Sequence, residues 1–328
     1  MFDSLFTQFP WMAWVVLIGG FVPLIYGADW LVEGGSSLAK RFNVPILVIG
    51  LTIVAFGTSA PELVVNIFSA TSGSTDLAVG NILGSNIFNI LLILGVSALI
   101  YPLKIKNSTT WIEIPLALLS GIVVFLLLND TLIDQAPWSG LGRVDGLILL
   151  GFFIIFLAYT GTLALKGNPE ESLQIKNRGL GLSLGMVGLG LVLLVFGGKL
   201  IVDGATSVAR GFGLSERLIG LTIVAAGTSL PELATSAVAA FKKNTDIAVG
   251  NIVGSNLFNA FFVLGSTAVI SPLKLNPLSN LDLVVNILAT LLLIIFVFSP
   301  RGRSINRIEG GIFVALYLVY SGYLVVTA

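Results

Sequence analysis

The sequence predicts an all-α integral membrane protein of ten transmembrane helices, arranged as two five-helix repeats of inverted topology. Three observations predict it. Of the 328 residues, 55% are hydrophobic and 10% are charged, against about 25% charged in ordinary soluble domains. The apolar runs suit helices of roughly 20 residues rather than the alternating ten-residue strands of an outer-membrane barrel. Long segments also recur at a fixed offset of 170 residues, as in GLTIVAFGTSAPE at 50–62 and GLTIVAAGTSLPE at 220–232.

In chain order the spans are expected at 11–33, 44–70, 77–101, 111–129, 144–165, 180–202, 214–241, 247–271, 281–299 and 307–326. The first opens in MFDSLFTQFPWMAWVV, which has no basic segment ahead of its apolar run and reads as a retained span rather than a cleaved signal. The second contains GTSAPEL at 57–63, with a proline and a glutamate near its centre, and the seventh contains GTSLPEL at 227–233. The third and eighth contain AVGNILGSNIFN at 78–89 and AVGNIVGSNLFN at 248–259. KGNPEESLQIKN at 166–177 is a short polar linker between a first repeat, 1–165, and a second, 178–328.

With ten spans, 12 of the 17 lysines and arginines fall in loops on one side. The positive-inside rule assigns that side to the cytoplasm, so both termini are expected outside a cell (inner) membrane that the chain crosses many times. Formal net charge is zero, and no basic stretch suits nucleic acid. There is neither cysteine nor histidine, which excludes disulfides, thiolate chemistry, histidine metal ligation and histidine proton relays. Ion chemistry must use oxygen ligands.

The repeats match at 11 of 13 positions in the first block and 10 of 12 in the second, and PLK at 102–104 recurs at 272–274. A five-span unit is odd, so its second copy crosses in the opposite sense. Inverted repeats of this kind mark secondary transporters, with the substrate at the midplane where the copies meet.

Pro61 has no amide hydrogen and crowds the carbonyl of Gly57, so a kink that frees backbone oxygens is expected there, and Pro231 does the same to Gly227. Such oxygens are tolerated at membrane depth only in protein or along a polar cavity. Thr58 and Ser59 share a helix face with Glu62, as do Thr228 and Ser229 with Glu232. Ser85 and Asn89, and likewise Ser255 and Asn259, are four residues apart in the following spans. Gly80 and Gly84, with Gly250 and Gly254, form small-residue seams for close approach. Asn81 and Asn251 either bond a neighbouring helix or line the ion path. Glu33, Asp29 and Asp203 fall near span ends and read as interfacial.

A mid-bilayer carboxylate costs at least about 2.5–3.5 kcal/mol and requires a partner. Neither glutamate has a lysine or arginine within its motif or the span that follows, which leaves a bound cation or a proton. Two carboxylates with neutral oxygens suit calcium, and sodium can share the same ligands, whereas magnesium demands tighter geometry and zinc or copper prefer nitrogen and sulfur. A site neutralised by either one divalent ion or monovalent ions makes the two compete, which is antiport.

At these residues the sequence resembles the sodium/calcium exchanger family of the calcium/cation antiporter superfamily, whose repeats carry GTS-x-PE and GSN-x-x-[ND] segments. The resemblance implies that Glu62 and Glu232 are the central calcium and sodium ligands, with the backbone oxygens of Thr58 and Thr228 completing the calcium site. It implies further that the side chains of Thr58, Ser59, Ser85, Thr228, Ser229 and Ser255, with the backbone around Ala55 and Ala225, line sodium sites, while Asn89 and Asn259 bound the centre. The first and sixth spans would slide over a fixed eight-helix core. Asn259 departs from the aspartate of many family members, which removes one ionisable group. The 12-residue linker leaves no room for the large regulatory loop of eukaryotic members, so the likeness is to compact prokaryotic-type exchangers. Calcium and sodium are then transported ions rather than cofactors, and the chain is not an enzyme. A calcium/proton exchanger on the same fold is the main alternative. A channel would call for a multi-subunit selectivity ring, and an intramembrane hydrolase lacks any nucleophile–base pair.

Overall fold

The computed structural model describes residues 6, 9–166, 178–213, 225–298 and 302–327. The chain begins with α1 (Trp11–Phe42), which is followed by a bent pair, α2 (Ile46–Thr58) and α3 (Ala60–Thr71). Next come α4 (Thr75–Ile100), α5 (Thr109–Leu128), a short α6 (Asp130–Asp134) and α7 (Arg143–Leu165). The second half contains α8 (Leu180–Gly211), α9 (Ala225–Thr228), α10 (Leu230–Phe241), α11 (Thr245–Ile270), α12 (Ser279–Val297) and α13 (Arg307–Thr327). Among the described residues eight helices are long and apolar enough to cross a bilayer, or nine if α2 and α3 form one span. The chain is a multi-pass membrane protein. Of the expected seventh span, 214–224 lies outside the described residues, and the remainder forms α9 and α10.

Two expectations are corrected. The first and sixth spans, expected to end at 33 and 202, run to Phe42 and Gly211, so each helix has 32 residues. At about 1.5 Å per residue that is roughly 48 Å, well beyond the ~30 Å hydrocarbon core. Hydropathy falls at Glu33, but the backbone stays helical because the residues beyond it are small and packed: Gly34, Gly35, Ser36, Ser37 and Ala39 are all buried. The second span is broken rather than kinked. Ser59 leaves helical geometry at φ −84°, ψ 4°, and the two halves meet at 43°. Pro61 then occupies the first turn of α3, where a missing N–H costs nothing.

α1 and α8 pack antiparallel along a seam of small residues seven apart. Ala13, Gly20, Gly27 and Gly34 face Gly204, Gly197, Gly190 and Ser183 in turn. A Cβ on Gly27 would lie 2.7 Å from the Gly190 carbonyl oxygen, and one on Gly197 would lie 2.6 Å from the Leu24 amide nitrogen. Backbone contact this close fits the two helices together as one unit. The interior belongs to α4 and α11, whose most apolar stretches are 78% and 94% buried, against 39% or less for the other long helices.

Two short ribbons trim the ends of these central helices. β1 (Leu103–Lys104) pairs antiparallel with β4 (Ser304–Ile305), and β2 (Gly140–Leu141) with β3 (Leu273–Lys274). The two PLK segments thus supply one strand each, and each ribbon ties the end of a central helix to the start of α13 or α7.

Candidate functional site

The break after Thr58 places Glu62 in the first turn of α3, and the break after Thr228 places Glu232 in the first turn of α10. A helix N-terminus carries unpaired N–H groups and a positive dipole end, which favours a carboxylate there. Pro61 and Pro231 offer no amide to the carbonyls four residues earlier, so Gly57 and Gly227 cannot receive their usual helical bonds. Each motif therefore brings one buried acid into the interior, beside a carbonyl that the proline leaves without its helical bond.

The two motifs meet reciprocally. Ser229 donates to Glu62 Oε1 at 3.1 Å, and Ser59 donates to Glu232 Oε1 at 3.0 Å. Ser85 Oγ lies 3.1 Å from Ser229 Oγ and serves as its donor, since Ser229 gives its only proton to the carboxylate. Thr58 Oγ1 lies 3.1 Å from Asn251 Oδ1, and Thr228 Oγ1 lies 3.4 Å from Asn81 Oδ1. Both glutamates are fully buried, and Oε2 of each has no hydrogen-bond partner among the described residues. Ser255 Oγ and the Oδ1 atoms of Asn89 and Asn259 are buried and equally unpartnered. Among the described residues no ion pair reaches Glu62 or Glu232. The groups that lower the energy of the two carboxylates are neutral, Ser229 and Thr228 beside Glu62 and Ser59, Thr58 and Ser255 beside Glu232, so none of them cancels the formal charge of minus two.

Of the sequence-predicted residues, Glu62, Ser59, Ser85, Glu232, Ser229, Thr58 and Thr228 fall within this bonded group. Ala55 lies one turn before the break, its carbonyl accepting from Ser59 N at 3.0 Å. Ala225 opens α9, and Ala226 O accepts from Ser229 N at 3.2 Å. Asn89 and Asn259 are each the second residue of a π-helical segment, Phe88–Ile93 and Phe258–Val263, a local geometry frequent at functional sites. The seam through Gly250 and Gly254 is present: Cβ atoms there would lie 3.1 Å from Leu47 O and 2.8 Å from Ala55 Cβ. Residues 220–224, the repeat counterpart of that contact surface, lie outside the described residues.

Asn81 and Asn251 do more than one job. Asn81 donates to Asn66 Oδ1 at 2.9 Å, and Asn251 to Ser236 Oγ at 2.9 Å, while each accepts from the threonine of the opposite motif. Asn66, Ser236, Asn86 and Asn256 were not singled out from the sequence. Asn86 and Asn256 carried a signal, being identical polar residues at the 170 offset. Asn66 and Ser236 are both polar but differ, so they did not stand out.

The interfacial acids are paired. Glu33 binds Arg178 at 2.5 Å, Asp29 binds Lys242 at 2.6 Å, and Asp203 lies 3.4 Å from Lys199 on its own helix. Ser36 also accepts from Asn244 at 3.0 Å, so α1 is tied twice to the loop after α10. Thr206, 170 residues after Ser36, has a buried hydroxyl with no partner among the described residues.

Comparison with known proteins agrees with this architecture. The chain is 40% identical over 319 residues to "Putative antiporter CaxA" of Alkalimonas amylolytica, covering 94% of this chain and 97% of that one. It is 30% identical over 344 residues to "Sodium/calcium exchanger MaX1" of Methanosarcina acetivorans, covering 95% and 97%. It is 29% identical over 287 residues to "Ca(2+)/H(+) antiporter ChaA" of Bacillus subtilis, covering 82% and 81%. A solved structure of the sodium-calcium exchanger NCX_Mj, soaked with Na+ and Sr2+, superposes with a TM-score of 0.80 at 32% identity, covering 94% of this chain and 97% of that one. The family profile described as sodium/calcium exchanger protein matches residues 12–161 and 182–326. The chain belongs to the sodium/calcium exchanger protein family.

Proposed function

We propose that this chain is a secondary antiporter that exchanges calcium for sodium across the cell (inner) membrane by alternating access. The observation that carries the reading is the buried pair Glu62 and Glu232, each bonded to a serine of the opposite motif and each keeping one oxygen unpartnered. Two buried negative charges with no basic partner among the described residues call for a cation, and an oxygen-only ligand set suits calcium and sodium. The backbone oxygens of Thr58 and Thr228 complete the calcium site. Thr58, Ser59, Ser85, Thr228, Ser229 and Ser255, with backbone near Ala55 and Ala225, line the sodium sites, and Asn89 and Asn259 bound the centre. Either occupancy neutralises the same charge, so the ions compete and exchange follows.

The ten-span, inverted-repeat plan, with both termini outside, is part of the same proposal. The reciprocity of the bonds between motifs supports it. The glycine-rich joint between α1 and α8 supports movement of those two helices as one unit over the remainder. Asp29–Lys242 and Ser36–Asn244 hold that unit on the lysine-rich side, which supports a state closed toward the cytoplasm.

Proton coupling is the second reading, supported by the 29% identity to a protein named as a calcium/proton antiporter. Calcium flux in proteoliposomes decides between them. Uptake driven by an outward sodium gradient at equal pH is expected. Uptake that follows a pH gradient and ignores sodium overturns sodium coupling.

A further inference from the structure

Four asparagines close a ring where α4 crosses α11. Asn86 Nδ2 donates to the backbone oxygen of Asn256 at 3.4 Å, and Asn256 Nδ2 donates to the backbone oxygen of Asn86 at 3.3 Å. Asn89 Nδ2 donates to Asn256 Oδ1 at 2.9 Å, and Asn259 Nδ2 donates to Asn86 Oδ1 at 3.1 Å. All four side chains are buried, at 3% exposure or less.

We propose that Asn86 and Asn256 are positioning residues that force Asn89 and Asn259 to present their side-chain oxygens, not their amide nitrogens, to the transported cation. The geometry dictates this step by step. A backbone carbonyl only accepts, so neither Asn86 nor Asn256 can turn its amide around without setting oxygen against oxygen. Each must direct its Oδ1 at the partner three residues further along the other helix. That oxygen also only accepts, so Asn89 and Asn259 are obliged to spend Nδ2 on it. Their own Oδ1 atoms are left buried and without a partner. A buried orphan acceptor costs free energy unless a ligand supplies what is missing, and for an acceptor that bounds the proposed two-carboxylate site that ligand is a cation. Free rotation would instead let an NH₂ group face the site and repel the ion.

The proposal rests on the reading of Asn89 and Asn259 as bounding the cation site, and its test separates the two. Calcium binding to purified protein is measured by titration calorimetry, with cation-free thermal melting as the control for folding. Asn86→Leu and Asn256→Leu remove the accepting oxygen. Each is expected to weaken calcium binding at least tenfold while the cation-free melting temperature moves by only a few degrees. The double variant is expected to lose less than the product of the two, because both act on one ring. Folded leucine variants with wild-type affinity, beside weakened Asn89→Leu and Asn259→Leu, overturn the positioning role alone. Wild-type affinity in Asn89→Leu and Asn259→Leu as well removes the site reading beneath it.

A measurement on the unmodified chain covers variants that do not fold. With asparagine selectively labelled, the Asn89 and Asn259 side-chain amide protons are expected to resist exchange equally with and without calcium, while the attached ¹³Cγ resonances shift on calcium addition. Amide protons that become exchangeable when calcium binds show the side chains turning, and overturn the proposal.

Discussion

Changing Glu232 to glutamine tests the charge of the site with little change in shape. Glu232 is fully buried, Oε1 holds the Ser59 hydroxyl at 3.0 Å, and Oε2 is unpartnered. Glutamine keeps an oxygen for Ser59 and replaces the unpartnered oxygen with an NH₂ donor. The formal charge of the pair falls from minus two to minus one. Removing one member of a buried charge pair costs about 3–5 kcal/mol, which corresponds to a roughly 150- to 4,000-fold weaker calcium affinity. Binding-linked stabilisation follows from that factor. At calcium one hundred times the wild-type Kd, the wild-type fold gains about 2.7 kcal/mol, whereas a variant weakened about 150-fold gains only about 0.3 kcal/mol. Melting in detergent, with and without calcium at that concentration, reads this difference directly. The cation-free variant should melt no lower than wild type, because it buries one fewer uncompensated charge. Glu62→Gln should behave the same way, since Ser229 stands to Glu62 as Ser59 does to Glu232. Retention of most of the calcium-induced shift in either variant refutes the assignment of the two carboxylates as the cation's counter-charge.

Ser59→Ala and Ser229→Ala each remove a hydrogen bond to a charged group, worth about 1.5–3 kcal/mol; calcium affinity should fall at least about tenfold and by similar factors in both, and a loss confined to one of them contradicts the reciprocal arrangement. Gly254→Ala sets a Cβ 2.8 Å from Ala55 Cβ and 2.9 Å from Leu51 O, so overpacking should cost about 1–3 kcal/mol; Gly151→Ala, with nothing within 4 Å, is the control, and equal melting temperatures for the two would sink the packing argument. Lys242→Met removes the tie to Asp29, whose side chains are 32% and 40% exposed, so stability should change by ~1 kcal/mol or less. Calcium affinity should stay fixed in that variant while exchange turns over faster; altered affinity at unchanged turnover would count against a role in closing the cytoplasmic side.

Much of this arrangement is legible in the sequence, because membrane burial makes polar residues conspicuous. Glu62, Glu232 and their hydroxyl neighbours stand out for a simple reason: an apolar span tolerates them only for a purpose, and the 170-residue repeat names them twice. Helix ends are less legible. Glu33 marks where hydropathy falls, but α1 continues to Phe42 because Gly34, Ser36 and Ser37 find partners on neighbouring elements that no local pattern reveals. The break at Ser59 shows in the sequence only as a disturbance at Pro61, since proline is compatible both with a kink and with the first turn of a new helix. Asn86 and Asn256 were visible as repeated residues, but their role depends on one meeting the other across a helix crossing. Tertiary contact decides that, and a one-dimensional pattern cannot.

On the proposed reading, the same two charges account for exchange of ions rather than a leak of one. An empty site carries two buried carboxylates with only neutral donors, among them one serine of the opposite motif each. If each uncompensated charge costs about 3–5 kcal/mol, moving the empty site through its occluded form is disfavoured by roughly 6–10 kcal/mol, a factor of about 10⁴–10⁷. In the proposed antiport, occupancy by calcium or by monovalent ions removes that barrier, so the halves would interchange readily only when loaded. In that reading neither motif suffices alone, because each carboxylate accepts from a serine of the opposite one. Calcium-loaded proteoliposomes placed in medium free of calcium and sodium, at a pH that holds protons scarce, should lose calcium no faster than protein-free vesicles. Adding external sodium should start efflux at once. Rapid efflux before that addition would mean that the empty site crosses freely, and the buried charge would then not be what couples the two ions.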